Sequence, residues 1–229
     1  MAVAKDEDTY IHEWIHHHLL MGFSPIYIGV NRTSDKTLEI INKISQTEKQ
    51  VKAYCIDWID QTGPGLNTRI QNIGYAYLTN KIDKTIIDYV AFLDIDEFWF
   101  NIDKKKVQDY IQEQKPFDIA SFYWLCQQAE EVPFAPPFKN VSYKKSNIVK
   151  SIISTHIINQ VNVFTYHVPI FKQENYLKLR HIDQYGNNIS TLNAKKTITH
   201  RHQRLIIQQS QPAFCTECCD QKKSIYPWY

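Results

Sequence analysis

One stretch in the middle of the chain, residues 89–100, constrains the fold more than any other. A short apolar run leads into three carboxylates within four positions, Asp94, Asp96 and Glu97, and three aromatic residues close the stretch. Such a run is typical of a strand buried on both faces of a sheet, and ligands of open α/β sheets bind where these strands end. The stretch therefore predicts an α/β fold with an acidic site at one edge of the sheet.

The two aspartates of this stretch predict a cation site. Asp94 and Asp96 lie two positions apart, so both side chains would point to one face of a regular strand. Two carboxylates on one face suit Mg²⁺ or Mn²⁺ that holds a phosphate. The alternative is a solvated turn whose acids cap the next element, since short motifs have many chance matches. The apolar neighbours on both sides favour the cation site, because enclosed carboxylates need a partner.

The rest of the chain alternates between strand-like and helix-like patterns. Up to the acidic stretch the order is strand, helix, strand, helix, strand, helix, strand, which is typical of a parallel α/β sheet. Further strands and one more helix follow it. The predicted strands are residues 1–4, 25–30, 52–58, 119–125, 150–153 and 164–168, and the predicted helices are residues 10–21, 68–80 and 104–114 and one that runs through Leu38 and Ile44.

Length and composition exclude several classes of protein. The 229 residues are enough for one α/β domain with a full core. A net charge of +2 without a dense basic stripe argues against a protein that binds nucleic acid. Five cysteines, an odd number, fit a reducing compartment, and the late Cys215, Cys218 and Cys219 have no second ligand pair for a zinc site.

Several segments, in order along residues 1–205, resemble bacterial glycosyltransferases related to family 2 and family 92. The matching pieces are Lys5-Asp6-Glu7, Glu13-Trp14-Ile15 with His18 and Gly22, residues 31–37 and residues 92–98, and weaker matches are Trp124, Lys150-Ser151-Ile152 and His167-Val168-Pro169. It is their order as a set that is fairly specific. The chain departs from the family in the turn at residues 30–36. Val30 stands there in place of the first aspartate, and Arg32 and Lys36 stand in place of two glycines.

The resemblance implies a Rossmann-like glycosyltransferase A fold, with a mostly parallel central sheet and helices on both faces. The glycosyltransferase domain would cover residues 1–205. Residues 206–229 are rich in glutamine and cysteine, and we expect them to form a poorly ordered tail.

The same resemblance implies an activity. The enzyme would move a sugar from a nucleotide-diphosphate-sugar donor to a glycan or lipid-linked acceptor, in the synthesis of surface polysaccharide or lipopolysaccharide. It would be metal-dependent and inverting, with Mn²⁺ or Mg²⁺ held by Asp94 and Asp96. The residues expected to contact the donor are Lys5, Glu7, Asn31, Asp35 and Gln71.

Two further roles need residues downstream of the acidic stretch. An inverting transferase requires a base that deprotonates the acceptor hydroxyl, and the candidates are Asp118, Glu130 and Glu131. We prefer Glu131, because it lies in a proline-rich loop whose aromatic residues can stack on sugars. For a third metal ligand we expect His167, which follows a predicted strand, since the neighbours of the later candidate His200 are basic.

Alternatives from other classes stay open on the sequence alone. An Asp-x-Asp pair after an apolar strand also suits a phosphohydrolase with an aspartate nucleophile, although such a pair usually lies on the first strand. The changed turn at Val30, Arg32 and Lys36 keeps a non-catalytic carbohydrate-binding protein possible. With no signal peptide and no apolar run of 18 residues, we expect a cytoplasmic location, with peripheral contact to the inner membrane for a lipid-linked acceptor.

Overall fold

The computed structural model describes residues 1–63, 65, 69–101, 103–127, 143–165, 167–189 and 205–209. Helices and strands alternate in the first half of the chain, and strands dominate the second half. In chain order the elements are β1 (Ala2–Ala4), α1 (Ile11–Leu20), β2 (Ile26–Val30), α2 (Thr37–Thr47), β3 (Val51–Cys55), α3 (Ile70–Thr79), β4 (Tyr89–Ala91), β5 (Glu97–Asn101), α4 (Val107–Gln114), β6 (Ile119–Gln127), β7 (Tyr143–Ser154), β8 (Val161–Val163), β9 (Ile170–Phe171), α5 (Gln173–Tyr176), β10 (His181–Asp183) and β11 (Leu205–Gln209).

The first sheet is parallel, in the order β1-β2-β3, and it has helices on both faces as predicted. All five residues of β2 are buried, and successive side chains of a strand point to opposite faces. Ile26 and Ile28 belong to one core cluster with residues of α1 and α2, whereas Tyr27 belongs to a second cluster with Tyr75 and Leu78 of α3. The α/β class predicted from the apolar patterns is therefore present in this half.

The second sheet is mixed, in the order β4-β7-β6-β11-β5, with β10 beside β6. The pairs β4 with β7, β6 with β7, and β5 with β11 are antiparallel, whereas β6 is parallel to both β10 and β11. The prediction of a mostly parallel central sheet is wrong for this half. Apolar patterns mark where strands lie, but they do not encode the direction of a neighbour that is distant in the chain.

Backbone hydrogen bonds at Met1 connect the two sheets. The Met1 nitrogen donates to the Ala91 carbonyl at 2.7 Å, and the Leu93 nitrogen donates to the Met1 carbonyl at 3.0 Å. Strand order therefore runs from β3 through β2 and β1 to β4 and on to β7. The acidic stretch follows β4, so it lies where the parallel and the mixed sheet meet.

The acidic stretch is two short strands with a turn between them, and not the single strand that we predicted. β4 ends at Ala91, and β5 begins at Glu97. The Glu97 nitrogen donates to the Asp94 carbonyl at 3.0 Å, and the Trp14 indole donates to the same oxygen at 2.8 Å. Because Asp94 and Asp96 lie in this turn, strand alternation does not place them on one face.

Other boundaries also differ from the predictions. The predicted strand at residues 164–168 is absent from the described residues there, since β8 ends at Val163 and β9 begins at Ile170. Strand β11 includes residues 206–209, which we had assigned to the tail. Residues 210–229 lie outside the described residues, so the domain boundary stays a prediction. No helix in the described ranges is long and apolar enough to span a membrane.

Candidate active site

A buried lysine and two carboxylates meet just beyond the end of β4. Lys150 lies on β7, two residues from the Ile152 that pairs with Ala91. Its ammonium is 2.9 Å from Asp94 Oδ2 and 3.1 Å from Glu97 Oε2. The side chains of Lys150 and Glu97 are fully buried, whereas that of Asp94 is 21% exposed. Of these three side chains, only that of Asp94 is accessible to solvent.

Asp94 is held on several sides. Its Oδ1 accepts hydrogen bonds from the Gln71 amide and, at 3.3 Å, from the Tyr75 hydroxyl, which lie one turn apart on α3. Its backbone nitrogen donates to Glu97 Oε2 at 3.0 Å. Helix α3 and strand β7 thus fix both carboxylate oxygens. Gln71, predicted as a donor contact, is brought into the cluster, where it orients Asp94.

Burial and charge act in opposite directions within this cluster. Burial alone would lower the pKa of Lys150, but the charges of Asp94 and Glu97 raise it above its ordinary value. Burial raises the pKa of Glu97 well above its usual range, although Lys150 opposes this shift. Burial and then the charge of Asp94 also raise the pKa of Tyr75, so its hydroxyl keeps the proton that it donates. We conclude that Lys150 is an ammonium ion paired with Asp94.

His167, predicted as a third metal ligand, lies near the same cluster, and its role as a ligand stays a prediction. Its ring centroid is 5.6 Å from that of Trp124, and the Lys150 ammonium is 5.7 Å from the Trp124 ring. Burial and the charge of Lys150 lower the pKa of His167 to about 4. The imidazole is therefore neutral at pH 7, the form that can accept a hydrogen bond or bind a metal ion.

The predicted metal site is not assembled as three side chains. Among the residues that the structure describes, no group of three or more His, Cys, Asp or Glu side chains is arranged to hold a metal ion. The oxygens of Asp94 already face an ammonium and an amide, so Asp94 fits a cation site poorly. Asp96, half-buried in the turn, is the remaining aspartate of the predicted set. Sharing one site among Asp94, Asp96 and His167 is therefore not supported.

Another group of predicted donor residues lies in the loops after β1 and β2. Asp35 Oδ1 accepts from the Thr37 nitrogen at 2.8 Å and the Thr33 hydroxyl at 2.7 Å, and its Oδ2 accepts from the Asp8 nitrogen at 2.8 Å. The Glu7 nitrogen donates to the Thr37 hydroxyl at 2.7 Å. These bonds fasten the two loops to each other at the carboxyl edge of the parallel sheet.

Hydrogen bonding dominates the electrostatics of this loop pair. Partial burial alone would raise the pKa of Asp35, but the hydrogen bonds from Thr37, Asp8 and Thr33 lower it to about 2. Lys5, directly after β1, is half-buried at the same edge. The structure thus brings three of the predicted donor contacts, Lys5, Glu7 and Asp35, to one edge of the sheet.

The turn that departs from the family pattern is tied to the segment after β3. The Asn31 amide donates to Asp60 Oδ2 at 2.9 Å, and the Arg32 guanidinium forms an ion pair with the same oxygen at 3.0 Å. The Arg32 nitrogen donates to Asp57 Oδ1 at 2.6 Å. Carboxylates from the next segment therefore stand beside the turn in which Val30 replaces an aspartate.

Of the three candidate bases for the acceptor hydroxyl, the structure describes only Asp118. Glu131 and Glu130 lie outside the described residues. Asp118 contacts His156 at 2.9 Å and the Arg180 nitrogen at 2.7 Å. It precedes β6 by one residue, four residues from the Phe122 that pairs with Lys150, which is roughly 13 Å along the strand. Asp118 is therefore not part of this cluster, and its role as a base stays a prediction.

The partnership of Lys150 with Glu97 is the functional feature that we did not predict. A signal was present, because Lys150 is a single cation inside the apolar pattern of residues 148–153. Lysine is almost never fully buried unless it is paired. The sequence could not identify the partner, since Asp94 lies 56 residues away.

Comparisons with known proteins identify a family. The model of glycosyltransferase family 92 matches residues 3–210. No curated protein matches the chain. The structure of S. aureus TarS 1–349 is similar at 15% identity over 69% of this chain and 47% of that chain, with a TM-score of 0.44. TarS in complex with UDP gives 17% identity, the same coverage and a TM-score of 0.46.

HddC from Yersinia pseudotuberculosis is similar at 10% identity over 76% of each chain, with a TM-score of 0.39. The present chain spans about half the length of the two TarS structures.

Proposed function

This chain belongs to glycosyltransferase family 92, and we propose that it transfers a sugar from a nucleotide-diphosphate-sugar donor to a glycan or lipid-linked acceptor. The observation that carries the proposal is the cluster of Asp94, Glu97 and Lys150 where β4 ends. Ligands of open α/β sheets bind at this edge. We also propose that the product belongs to surface polysaccharide or lipopolysaccharide.

We propose the glycosyltransferase A fold for this chain. Three features support it: the parallel sheet β1–β3, the helices on both of its faces, and the continuation through Met1 into β4 and the mixed sheet. The acidic turn at the junction would then lie where the diphosphate of the donor meets the sugar.

The transfer itself breaks one bond and forms another. The bond between the anomeric carbon and the diphosphate oxygen breaks, and its electron pair stays on the diphosphate. The acceptor hydroxyl oxygen forms the new bond, and its proton goes to a base, for which we propose Glu131. Fixed charges that meet charge developing in the transition state are the main source of rate enhancement in such sites. The anomeric carbon becomes positively charged as this bond breaks, and we assign the Asp94 carboxylate, oriented by Lys150 and Gln71, to stabilise that charge.

We propose that Lys5, Glu7, Asn31, Asp35 and Gln71 contribute to donor binding. Glu7 and Asp35 would act by holding the loops after β1 and β2 in place, because their atoms already bind each other's loops. Asn31, held by Asp60, lies in the turn where the nucleoside is expected. Gln71 would act through Asp94.

A requirement for Mn²⁺ or Mg²⁺ remains a proposal. A divalent ion, when bound, would neutralise the charge of the leaving diphosphate. The side chains described here do not form a three-ligand site, so we assign only Asp96 to such an ion and treat His167 as the residue to test next. Addition of EDTA should abolish turnover, and Asp96→Asn should raise the Mn²⁺ concentration needed for half-maximal rate. Unchanged rates in EDTA would remove the metal from the proposal.

The location is proposed as well. We place the reaction in the cytoplasm, with peripheral contact to the inner membrane if the acceptor is a lipid-linked sugar. Fractionation of cells that express the protein tests this, and recovery from the periplasm would contradict it.

The phosphohydrolase alternative is disfavoured by Asp94 itself. An aspartate nucleophile needs an oxygen that can reach phosphorus, but Oδ1 of Asp94 accepts from Gln71 and Tyr75, and Oδ2 is paired with Lys150. A non-catalytic sugar-binding protein is the other alternative, and the experiment below separates the three.

The experiment measures release of nucleoside diphosphate from a panel of UDP-, GDP- and dTDP-sugars, with and without Mn²⁺. We expect turnover of at least one donor, and a loss of about 100-fold or more in Asp94→Asn. The matched control is Asp88→Asn, which changes an exposed aspartate just before β4. Binding without turnover would indicate a non-catalytic protein, and hydrolysis of p-nitrophenyl phosphate without sugar transfer would indicate a phosphohydrolase.

A further inference from the structure

Two carboxylates that face a common point in a largely buried site need either a shared proton or a cation. Asp94 and Glu97 face such a point, and the Lys150 ammonium occupies it at 2.9 and 3.1 Å. We propose that Lys150 is a built-in cation that takes the place of a metal ion at the Asp94–Glu97 pair and keeps divalent ions away from it. The proposal rests on the proposed function only for the statement that this pair belongs to a donor site.

The position of Lys150 leaves little room for another cation. Its side chain is fully buried in the middle of β7, a strand paired on one side with β4 and on the other with β6. A divalent ion could bridge Asp94 Oδ2 and Glu97 Oε2 only by displacing this ammonium from between them. The Trp124 ring, 5.7 Å from the ammonium, adds a favourable cation–π contact.

The charges agree with this arrangement. The Asp94 and Glu97 carboxylates outweigh the effect of burial on Lys150, so the cation is retained at neutral pH. The backbone nitrogen of Asp94 and the Lys150 ammonium both bind Glu97 Oε2. Glu97 thus connects the turn that holds Asp94 to Lys150 of β7. Because Glu97 is fully buried, its role is to position Asp94 and not to touch a donor.

Lys150→Met tests the exchange of cations directly. Methionine has nearly the same length as lysine but no charge, so the two carboxyl groups would be left to share a proton or to bind another cation. We expect the variant to unfold roughly 10 °C below the wild type without metal, as when one partner of a buried pair is removed. Millimolar Mn²⁺ should then raise its melting temperature by several degrees, and the double variant Lys150→Met/Glu97→Gln should lose this response.

Electron paramagnetic resonance of free Mn²⁺ gives a second readout in the otherwise intact protein. Without any donor, Asp94→Asn and Glu97→Gln should bind Mn²⁺ as the wild type does. A weakening of about tenfold or more in either variant would overturn the proposal, because these carboxylates would then be metal ligands. Comparing Mn²⁺ binding by these two variants with that by the wild type tests the proposal even if Lys150→Met does not fold. A folded Lys150→Met protein that gains no Mn²⁺ response would also overturn it.

These readouts use no sugar nucleotide. Failure of the metal experiment therefore leaves the proposed glycosyl transfer untouched, and absence of turnover with every donor leaves the role of Lys150 untouched.

A separate feature lies on the exposed side of α1. His12 and His16 are four residues apart, both are exposed, and their ring centroids are 4.6 Å apart, with the exposed Glu13 between them in sequence. Side chains four residues apart in a helix lie on one face, and imidazole is a common ligand of Zn²⁺. We infer that His12 and His16 bind Zn²⁺, with water completing the shell.

The His-Glu-x-x-His pattern of residues 12–16 also occurs in metalloproteases, but the rest of such a site is not found here. Nowhere in the described ranges does a third His, Cys, Asp or Glu join the pair in a metal-binding group. A two-ligand site on an open helix face binds an ion without a cleft for a peptide. The inference is therefore a zinc-binding site and not a protease.

Imidazole NMR signals resolve this site from the cysteines of the chain. On titration with Zn²⁺, the signals of His12 and His16 should shift together, and His16→Ala should abolish the shift of His12. The signal of His156, an exposed histidine paired with Asp118, is the matched control. Unshifted His12 and His16 signals at millimolar Zn²⁺, or a His12 shift that persists in His16→Ala, would overturn the inference.

Discussion

Two groups of carboxylates in this molecule are placed in opposite ways. Near the surface, Asp35 accepts hydrogen bonds from Thr33, Thr37 and Asp8, and these lower its pKa to about 2 against the effect of partial burial. Inside, Glu97 is fully buried, and its pKa is raised. In the first arrangement several hydrogen bonds hold the charge, whereas in the second Lys150 supplies the cation, assisted by a hydrogen bond from the Asp94 nitrogen.

The difference teaches what each group can do. A carboxylate that backbone and hydroxyl donors hold stays charged and fastens loops, and it can lose one donor without collapse. Two largely buried carboxylates that share one cation are sensitive to any change, because removal of the cation or of a carboxylate leaves a charge uncompensated. The loops therefore suit donor binding, which tolerates adjustment, and the buried cluster suits chemistry, which needs fixed charge.

The largest effect should come from the single ammonium. Lys150→Met should lower the free energy of unfolding by about 3–5 kcal/mol at pH 7, because Asp94 and Glu97 lose their shared cation. Urea denaturation followed by circular dichroism measures this. Lys145→Met, on the same strand but exposed, is the control and should cost about 1 kcal/mol or less. Equal losses in the two variants would mean that the buried cluster is no more fragile than the surface.

As the pH falls from 7, the free energy of unfolding should first decrease through a buried histidine, His181. Burial lowers the pKa of His181 to about 4 from an ordinary 6.5, so the unfolded chain takes up a proton before the folded one does. The contribution of neutral His181 to the free energy of unfolding is fully present above pH 6.5. It is lost as the pH falls towards 4, by up to about 3 kcal/mol.

The check is the pH dependence of the unfolding free energy between pH 7 and 4. His181→Gln should reduce the slope by up to one proton. An unchanged slope in this variant would mean that burial does not shift the pKa of His181.

The contribution of the loop pair to the free energy of unfolding should be smaller, and it should be lost only at a lower pH. Asp35→Asn should lower the free energy of unfolding by about 1 kcal/mol at pH 7, because the amide accepts fewer of the three hydrogen bonds. The folded pKa lies below the ordinary 3.8, so the contribution of the carboxylate is present above pH 3.8 and is lost as the pH falls through about 2. The gap between the two proteins should therefore close near pH 2. A gap that is as wide at pH 2 as at pH 7 would mean that charge is not what fastens these loops.

The sequence was informative where structure follows from local spacing. A helix was predicted over residues 10–21, and α1 runs from Ile11 to Leu20. At the end of β4 the structure brings together three residues that were predicted for the site, Asp94, Gln71 and His167, but their roles stay predictions. The remainder depends on long-range pairing. No local pattern states that β7 runs antiparallel to β4, and without that direction Lys150 cannot be matched with Asp94 and Glu97.

The break within the acidic stretch was missed for a similar reason. The apolar residues before and after Asp94 have the composition of one strand, but bonds from Trp14 and Glu97 to the Asp94 carbonyl turn the chain. Those partners belong to α1 and β5, and only the folded molecule brings them together.

Steady-state kinetics of donor turnover test the central claim most directly, once a donor has been identified. The account predicts that Asp94→Asn lowers kcat by about 100-fold or more, because the buried cluster acts on the transition state. Asp35→Asn should instead raise KM for the donor and change kcat by less than about tenfold. Circular dichroism would confirm that both variants are folded. An Asp94→Asn protein that keeps the wild-type kcat would contradict the assignment of the chemistry to this cluster.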